Sequence, residues 1–515
     1  MIAAAAVLAA AACPAPSINL TAPLFTTAPN SASWTIDPSR NRAFFDVNFS
    51  DPRLLYLVSE IGRASNPMLR FGGGGADVLT YGVPTQCDAP RPVNGLECLN
   101  VSTLDALLGV ATAASARLVF ALNILPHGGG GGLRHGGGGS PPPPPPWDPA
   151  AARGLLTYIR DAGFPLAGVE LGNERNAHGY TPAEQAAAFR VLADLLAELW
   201  PSPASRPALW GPDADGAGPP SDPPSRLASL AAYLAEFVGN ATAPLSSVTW
   251  HEYVQVTSTS VLNASALDAS AHNAAAVVAA VRRVDAAVPV WVGEVGPHTG
   301  NSVGNTTTTG TCGDNRLCGR FGSVIWYADA MASSAREGAA GFLRQDLVGA
   351  YYALINTSAP GQPGTAVGGF TPSPDYYLLW LWQRLVGARV LAAQPPPPPA
   401  GAVRAYAYCA RERADAVVLV LINLGAAPSC VGAPAWVPPG AALTVFALTP
   451  GEASEGVEAW GVRLNGRLLA LDAAGALPDL SGASLAAAGG LTLPATSVTL
   501  VVTPAGGAAL ACAAG

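Results

Sequence analysis

The chain has 515 residues, a formal charge of −8, 50% hydrophobic and only 12% charged residues, enough for two or three domains with a sizeable core. No apolar run reaches the ~18 residues of a membrane span, so the low charge reflects the 57 Gly and 48 Pro rather than a transmembrane bundle. Lys is absent, and the 27 basic residues are Arg scattered among 35 acids, which disfavours nucleic acid or another polyanion as partner.

In chain order, Met1–Ala15 is a short apolar run followed by small residues, as in the hydrophobic part of a secretory signal, although it lacks a basic start. From Leu20 to Gly349, β-branched or apolar runs alternate with longer amphipathic stretches, the pattern of βα repetition. Strands are predicted at Ser33–Asp37, Met68–Phe71, Arg117–Asn123, Gly168–Asn173, Ala208–Gly211, Ser247–Tyr253, Val288–Gly293 and Gly341–Gln345. Helical segments such as Ala150–Ala162 and Pro182–Trp200 separate them. The economical fold is α/β, a (β/α)8 TIM barrel. A doubly wound sheet is less suitable, because the Gly72–Gly75 run does not continue as a phosphate-binding turn opening a helix.

The segment from His127 to Pro146 consists largely of unbroken glycine and then unbroken proline. It cannot bury a core, and it is expected to be a mobile surface loop on the barrel face that carries active sites. Slippage of a repetitive coding sequence accounts for it at least as well as a wall-anchoring role. Beyond Arg389 the texture changes to strand-like runs at Ala402–Ala407, Ala416–Ile422, Ala442–Ala447, Gly461–Leu464 and Ser497–Thr503, which indicates an additional C-terminal β-sandwich. The expected division is a signal over 1–15, a catalytic barrel over 16–387 whose first residues can join the sandwich, and the sandwich over 388–515.

Asn-x-Ser/Thr occurs at Asn19, Asn48, Asn100, Asn240, Asn263, Asn305 and Asn356, and the chain has eight Cys; both features fit a secreted glycoprotein. No Cys-x-x-Cys occurs and no two His share a helix at i, i+4, so neither a metal nor any other cofactor is expected.

Barrel enzymes gather their chemistry at strand C-termini, and two carboxylates lie there. Glu174 ends Val169-Glu-Leu-Gly-Asn-Glu174 after the fourth strand, and Glu294 ends Val290-Trp-Val-Gly-Glu294 after the seventh. A lone acid at a strand end more often caps a helix or meets solvent. A pair on opposite sides of one barrel can flank a glycosidic bond, one as acid/base and one as nucleophile.

The segments Met68-Leu-Arg-Phe-Gly-Gly-Gly-Gly-Ala-Asp77, Glu170-Leu-Gly-Asn-Glu174, Val248-Thr-Trp-His-Glu-Tyr253, Trp291-Val-Gly-Glu294 and Leu343-Arg-Gln-Asp-Leu-Val-Gly349 resemble the heparanase family, most closely its plant heparanase-like branch. The resemblance runs from about Ile18 to Cys512. It implies a retaining β-glucuronidase built on a (β/α)8 barrel and a β-sandwich. It assigns Glu174 as acid/base and Glu294 as nucleophile, and it places Asp77, Asn173, Tyr253 and Gln345 around a uronic acid. Asn173 could hold the sugar 2-OH, whose hydrogen bond strengthens in the transition state, and Tyr253 could orient the nucleophile.

Departures from the family pattern bear on specificity. Arg175 replaces the usual Pro or Leu, and the Gly-rich tract that helps bind the uronate becomes Pro297-His-Thr-Gly-Asn-Ser302, with His298 and Arg320 as candidate substitutes. Without Lys or a long linker after the second strand, a single-chain enzyme that does not use heparan sulfate is expected. The expected disulfides are Cys87–Cys98, Cys312–Cys318 and Cys409–Cys512, with Cys13 removed alongside the signal and Cys430 left free.

The resulting expectation is a secreted, extracellular or cell-wall hydrolase, with lysosome or vacuole also open. It would act as a monomer on glucuronic acid or 4-O-methylglucuronic acid in glycans or glycoproteins, with no nucleic acid and no transmembrane segment, peripheral membrane association staying open. A catalytically silent glycan-binding wall protein and a hydrolase of neutral β-glycosides are the competing readings.

Overall fold

Eight parallel strands close into a barrel in strict chain order: β1 (Ala32–Ile36), β2 (Met68–Phe71), β3 (Arg117–Leu122), β4 (Leu166–Leu171), β5 (Ala208–Ala217), β6 (Ser247–Tyr253), β7 (Val290–Gly296) and β8 (Gly341–Arg344). Phe342 of β8 pairs with Ala32 of β1 to complete the ring. The computed structural model describes residues 13–38, 44–82, 97–125, 146–219, 221–297, 317–349, 352–357, 369–397, 402–438, 440–486, 490–505 and 510–513. The glycine- and proline-rich insert and most of the N-terminal apolar run lie outside these residues.

Helices α1 (Pro52–Gly62), α2 (Val101–Ala113), α3 (Ala150–Asp161), α4 (Pro182–Leu199), α5 (Pro224–Asn240), α6 (Ala264–Arg282), α7 (Gly322–Arg336) and α8 (Pro374–Leu385) follow the strands in turn. Their starts have local chemical causes. Thr181 and Glu184 form a reciprocal capping box at α4, and Asp51, Asn100 and Asn263 cap α1, α2 and α6 through side-chain oxygens. The outward faces of the strands, including Leu69, Phe71, Leu118, Phe120, Val169, Leu171, Val248 and Trp250, are buried in one continuous apolar core.

The inward faces are layered. At the bottom, Trp210 and Trp291 lie with ring centroids 4.9 Å apart among Met68, Val119 and Leu343. Gly168 and Gly341 make room for them, because a Cβ on either would come within 2.6 Å of an indole carbon. Above this plug the inward residues become ionic: Arg70, Glu170, Asp213 and His251, all fully buried. An apolar floor beneath a charged layer leaves those charges no exit to water except upward, toward the strand C-termini.

Strand β5 extends to Ala217, beyond its expected end at Gly211. Gly211-Pro212 reads as a breaker, yet the chain continues through it with a register shift against β6. The extension carries Asp213 into the barrel interior. Likewise β7 runs through Glu294 to Gly296, so Glu294 lies within a strand rather than after it.

The C-terminal sheet is antiparallel, with β9 (Val386–Leu391), β10 (Val403–Ala410), β11 (Ala416–Asn423), β12 (Ala442–Pro450), β13 (Val462–Leu464) and β14 (Ser497–Pro504). Residues near the N-terminus pair with this part of the chain: Phe25–Thr26 joins the sheet beside β9, and Ser17–Ile18 forms a separate two-stranded sheet with Ala393–Gln394. Val386–Leu391 was not anticipated as a strand, because its six residues emerge directly from α8 without a turn signal.

Cys409 and Cys512 are bonded as expected, but Cys430 is not free: it is bonded to Cys13. The Gly432 N–H donates to the Pro14 carbonyl (2.9 Å), laying the N-terminal segment along the sheet and bringing the two sulfurs together. A cleavage after Ala15 would remove one of them. Cys98 and Cys318 are also disulfide-bonded, and their expected partners Cys87 and Cys312 lie outside the described residues. No helix among the described residues is long and apolar enough to cross a membrane.

Candidate active site

Arg70 is the centre of the ionic layer. Its Nε donates to Glu170 Oε2 (2.8 Å), Nη1 to Glu294 Oε2 (3.0 Å), and Nη2 to both Asp213 Oδ2 (2.5 Å) and Asn173 Oδ1 (3.2 Å). Glu294 receives a second bond, from the Tyr253 hydroxyl to Oε1 (2.6 Å), so both oxygens have fixed directions. Opposite it, Glu174 Oε1 lies 2.9 Å from His251 Nδ1, and His251 Nε2 lies 3.2 Å from Asp213 Oδ1. Glu174, His251 and Glu294 each place one ligating atom within 4.8 Å of the others. The expected pair of carboxylates therefore shares one site.

The backbone around Glu174 explains its position. Gly172 is left-handed (φ 78°), and a Cβ there would come within 2.9 Å of Ile124 and Arg175 side-chain carbons. The next turn puts Glu174 itself at φ 54°, a costly conformation for a non-glycine residue, held by the Glu174 N–H donating to the Asp213 carbonyl (2.8 Å). The carboxyl reaches the top of the barrel with 29% of its side chain exposed, whereas that of Glu294 is 6% exposed.

Asp77 lies beneath this turn, buried. Its Oδ2 accepts the Asn173 N–H (2.7 Å) and its Oδ1 the Ile124 N–H (3.2 Å). Arg175, the departure from the family pattern, places Nε 3.2 Å from Asp77 Oδ2 and donates to the Asn173 carbonyl. Gln345, fully buried, bonds Thr35 and reaches Asp37 Oδ2 (3.5 Å). The Gly72–Gly75 run closes over Asp37: the Gly75 N–H donates to Oδ1, and a Cβ on Gly73 would strike the carboxyl at 2.6 Å.

The Arg320 guanidinium stacks 3.4 Å above the Trp460 ring, and its Nη1 donates to the Glu458 carbonyl. His298 lies outside the described residues.

Proton affinities in the cluster diverge. Burial pushes the Glu174 carboxyl up, opposed by its bond to His251 and reinforced by the Glu294 charge. Burial and the neighbouring Asp213 charge push Glu170 well above the carboxylate range. Burial acts the same way on Asp213, but Arg70 and His251 overcome it and hold that carboxyl low. Burial would lower His251, yet Glu294 and Asp213 raise it well above its usual value. The site thus places carboxyls whose proton affinity is pushed up, Glu174 and Glu170, beside one held low, Asp213, a divergence of the kind acid/base catalysis uses. Glu174, His251 and Glu294 are close enough to surround a cation, but their facing atoms are already occupied by His251, Arg70 and Tyr253, and the guanidinium supplies the positive charge.

Arg70, Asp213, His251 and Glu170 were not singled out from the sequence. The available signal is an ionisable residue at an inward position of an otherwise apolar strand, as in Met68-Leu-Arg-Phe71. On the outer face of β6, Glu252 is fully buried, with no ion pair to it among the described residues, and accepts from Ser270 Oγ (2.5 Å) and Asn273 Nδ2 (3.1 Å). Burial pushes it up to about 7 from 4.5. A carboxyl raised on folding contributes stability that is complete below the unfolded value and is lost as pH rises through about 7. Glu252→Gln should therefore gain on wild type by on the order of 3 kcal/mol between pH 4.5 and pH 8 in denaturant titrations. A difference constant with pH would show that Glu252 titrates normally.

No protein-family model matches the chain. It is similar to heparanase-like protein 1 of Arabidopsis thaliana, 27% identical over 387 residues that cover 72% of this chain and 64% of that protein, just under two thirds of its length. It is 30% identical to heparanase of Gallus gallus over 77% of this chain and 69% of the relative. Baicalin-beta-D-glucuronidase of Scutellaria baicalensis is 25% identical over 88% of this chain and 83% of its own. Among solved structures, a 4-O-alpha-L-rhamnosyl-beta-D-glucuronidase from Fusarium oxysporum 12S superposes with a TM-score of 0.62 over 95% of this chain and 99% of its own, at 14% identity. A family 51 alpha-L-arabinofuranosidase from Bifidobacterium longum does so at 0.61 over 95% and 99%, at 17% identity. At these identities the structures establish the shared fold.

Proposed function

The chain belongs to the heparanase family of glycoside hydrolases, and on that premise we propose that it is a secreted retaining enzyme that removes β-linked glucuronic acid, or its 4-O-methyl ether, from cell-wall or matrix glycans. The carrying observation is the pair Glu174 and Glu294, whose facing oxygens lie within 4.8 Å. So close an approach supports double displacement, for which carboxyl groups stand about 5–5.5 Å apart, over inversion, which needs a wider gap to admit a water beside the anomeric carbon.

Each residue has a physical task in this reading. Glu294, aimed by Arg70 and Tyr253, attacks the anomeric carbon while Glu174 passes its proton to the departing oxygen. Glu174 then takes a proton from the water that releases the sugar. Asn173, fixed by Arg70 on its side chain and Asp77 on its backbone, holds the 2-OH, and Gln345 with Asp77 shapes the wall of the sugar pocket from within the barrel. The rate should follow a bell in pH, rising as Glu294 ionises and falling as the raised Glu174 loses its proton.

A neutral β-glycoside is the second reading, favoured by one observation: the guanidinium of Arg320, a candidate receptor for the uronate carboxylate, stacks on Trp460 and donates to the Glu458 carbonyl. Purified protein assayed on nitrophenyl β-glucuronide beside the matching glucoside, galactoside and xyloside distinguishes the two. Preference for the glucuronide by about tenfold or more is expected. A preference for a neutral sugar would replace the substrate, and binding without turnover of any member would overturn the enzymatic reading.

A further inference from the structure

We propose that Asp213 is the positioning residue that joins the two catalytic halves, keeping a hydrogen on His251 Nε2 so that Nδ1 shares its proton with Glu174. The proposal rests on the acid/base role of Glu174 given above. Its ground is that Asp213, from a fully buried position, contacts Arg70, His251 and the Glu174 backbone at once. Oδ2 lies 2.5 Å from the Arg70 nitrogen that also bonds Asn173, and Arg70 holds the nucleophile through its other terminal nitrogen. Oδ1 faces His251 Nε2 at 3.2 Å, and the Asp213 carbonyl accepts the Glu174 N–H. The residue itself sits at φ 58°, secured by its own N–H donating to Thr249 Oγ1 (3.0 Å). Gly293, next to the nucleophile, leaves the space: a Cβ there would come 3.1 Å from Asp213 Oδ1 and 2.9 Å from Thr249 Cβ.

The chemistry follows from donor and acceptor counts. An ionised carboxylate only accepts, so its charge 3.2 Å from His251 Nε2 favours a hydrogen there over a lone pair, through the close approach of the two charges rather than an aligned hydrogen bond. In the neutral ring Nδ1 then has a free lone pair, and the proton between it and Glu174 belongs to the pair. When the glycosidic C–O bond breaks, that proton leaves Glu174 for the departing oxygen as the bond to Glu294 forms. When water attacks, the same position receives a proton. The charged or titratable groups facing this pair are Asp213, Arg70, Glu294, Tyr253, Glu170 and Asp215. Removing the negative charge of Asp213 withdraws the group that favours a proton on His251 and so lowers the proton affinity of the pair.

The test is Asp213→Asn, which keeps the shape, followed through kcat/KM against pH on whichever β-glycoside the panel identifies. The basic limb should move to lower pH by about one unit or more, and substrates with poor leaving groups should lose more rate than nitrophenyl glycosides. In a His251→Asn background, Asp213→Asn should add no further shift. An unmoved limb with a uniform loss at every pH, or a shift that persists without His251, overturns the role. Glu174→Gln separates the two levels: if the basic limb survives there, the acid/base reading itself fails. Should Asp213→Asn not fold, the wild type still decides. The imidazole 15N shifts of His251, assigned by their loss in His251→Asn, should report a protonated Nε2, and a neutral ring protonated at Nδ1 overturns the proposal.

Discussion

Glu294→Gln is expected to lower turnover of every substrate by at least about 10⁴-fold, because the amide cannot form the covalent intermediate. The loss should not depend on the leaving group. Glu174→Gln should behave otherwise. Glycosides that depart unprotonated, such as nitrophenyl derivatives, should still load Glu294 and then stall, whereas alkyl glycosides should lose about 10²–10⁴-fold. Azide distinguishes the roles by stereochemistry. With Glu174→Ala it attacks the accumulated intermediate and gives a product of retained configuration; with Glu294→Ala it attacks the substrate directly and gives the inverted product. Proton NMR of the glycosyl azides reads both, and the reverse pattern would exchange the two assignments.

Arg70→Met should be the most destabilising single change in the barrel, costing about 3–5 kcal/mol at neutral pH. The substitution leaves Glu170, Asp213 and Glu294 buried around a thioether instead of the guanidinium that bonds all three. Without the cation their folded-state proton affinities rise, so the stability retained by the variant should be greatest in acid and fall as pH increases. Denaturant midpoints at pH 5 and pH 8 measure this. Equal destabilisation at both would mean that these carboxyls are already protonated in the wild type and that Arg70 is there for shape alone. Activity should be lost at any pH at which the variant folds, since both Asn173 and Glu294 depend on Arg70 for their direction.

The barrel was legible because its strands are short apolar runs bounded by turn residues, and all eight were located to within three residues except for the end of β5, which runs on to Ala217. Glu174 and Glu294 were legible for a related reason: each follows a glycine near the C-terminal end of an apolar strand, although Glu294 itself still lies within β7. The charged layer below them was not. Arg70 and His251 sit inside apolar strands, where one ionisable residue looks like an isolated exception until neighbouring strands supply its partners. Asp213 was hidden by Gly211-Pro212, which ends a strand in most contexts. The free thiol assigned to Cys430 failed for a different reason. Pairing over a separation of 417 residues depends on where the first residues lie, and no local pattern encodes that.

The pairing of residues 17–26 with the far end of the chain also bears on how the molecule is made. A nascent chain presents Phe25–Thr26 to the ribosome exit first, yet its partner Arg389–Val390 emerges more than 360 residues later. The barrel strands lie between them, so the barrel can close while the leading segment is still waiting, an exposed edge open to wrong partners. Deletions or bulky fusions that reach the first two dozen residues should accordingly show up as aggregation during synthesis rather than as altered catalysis in the molecules that escape it.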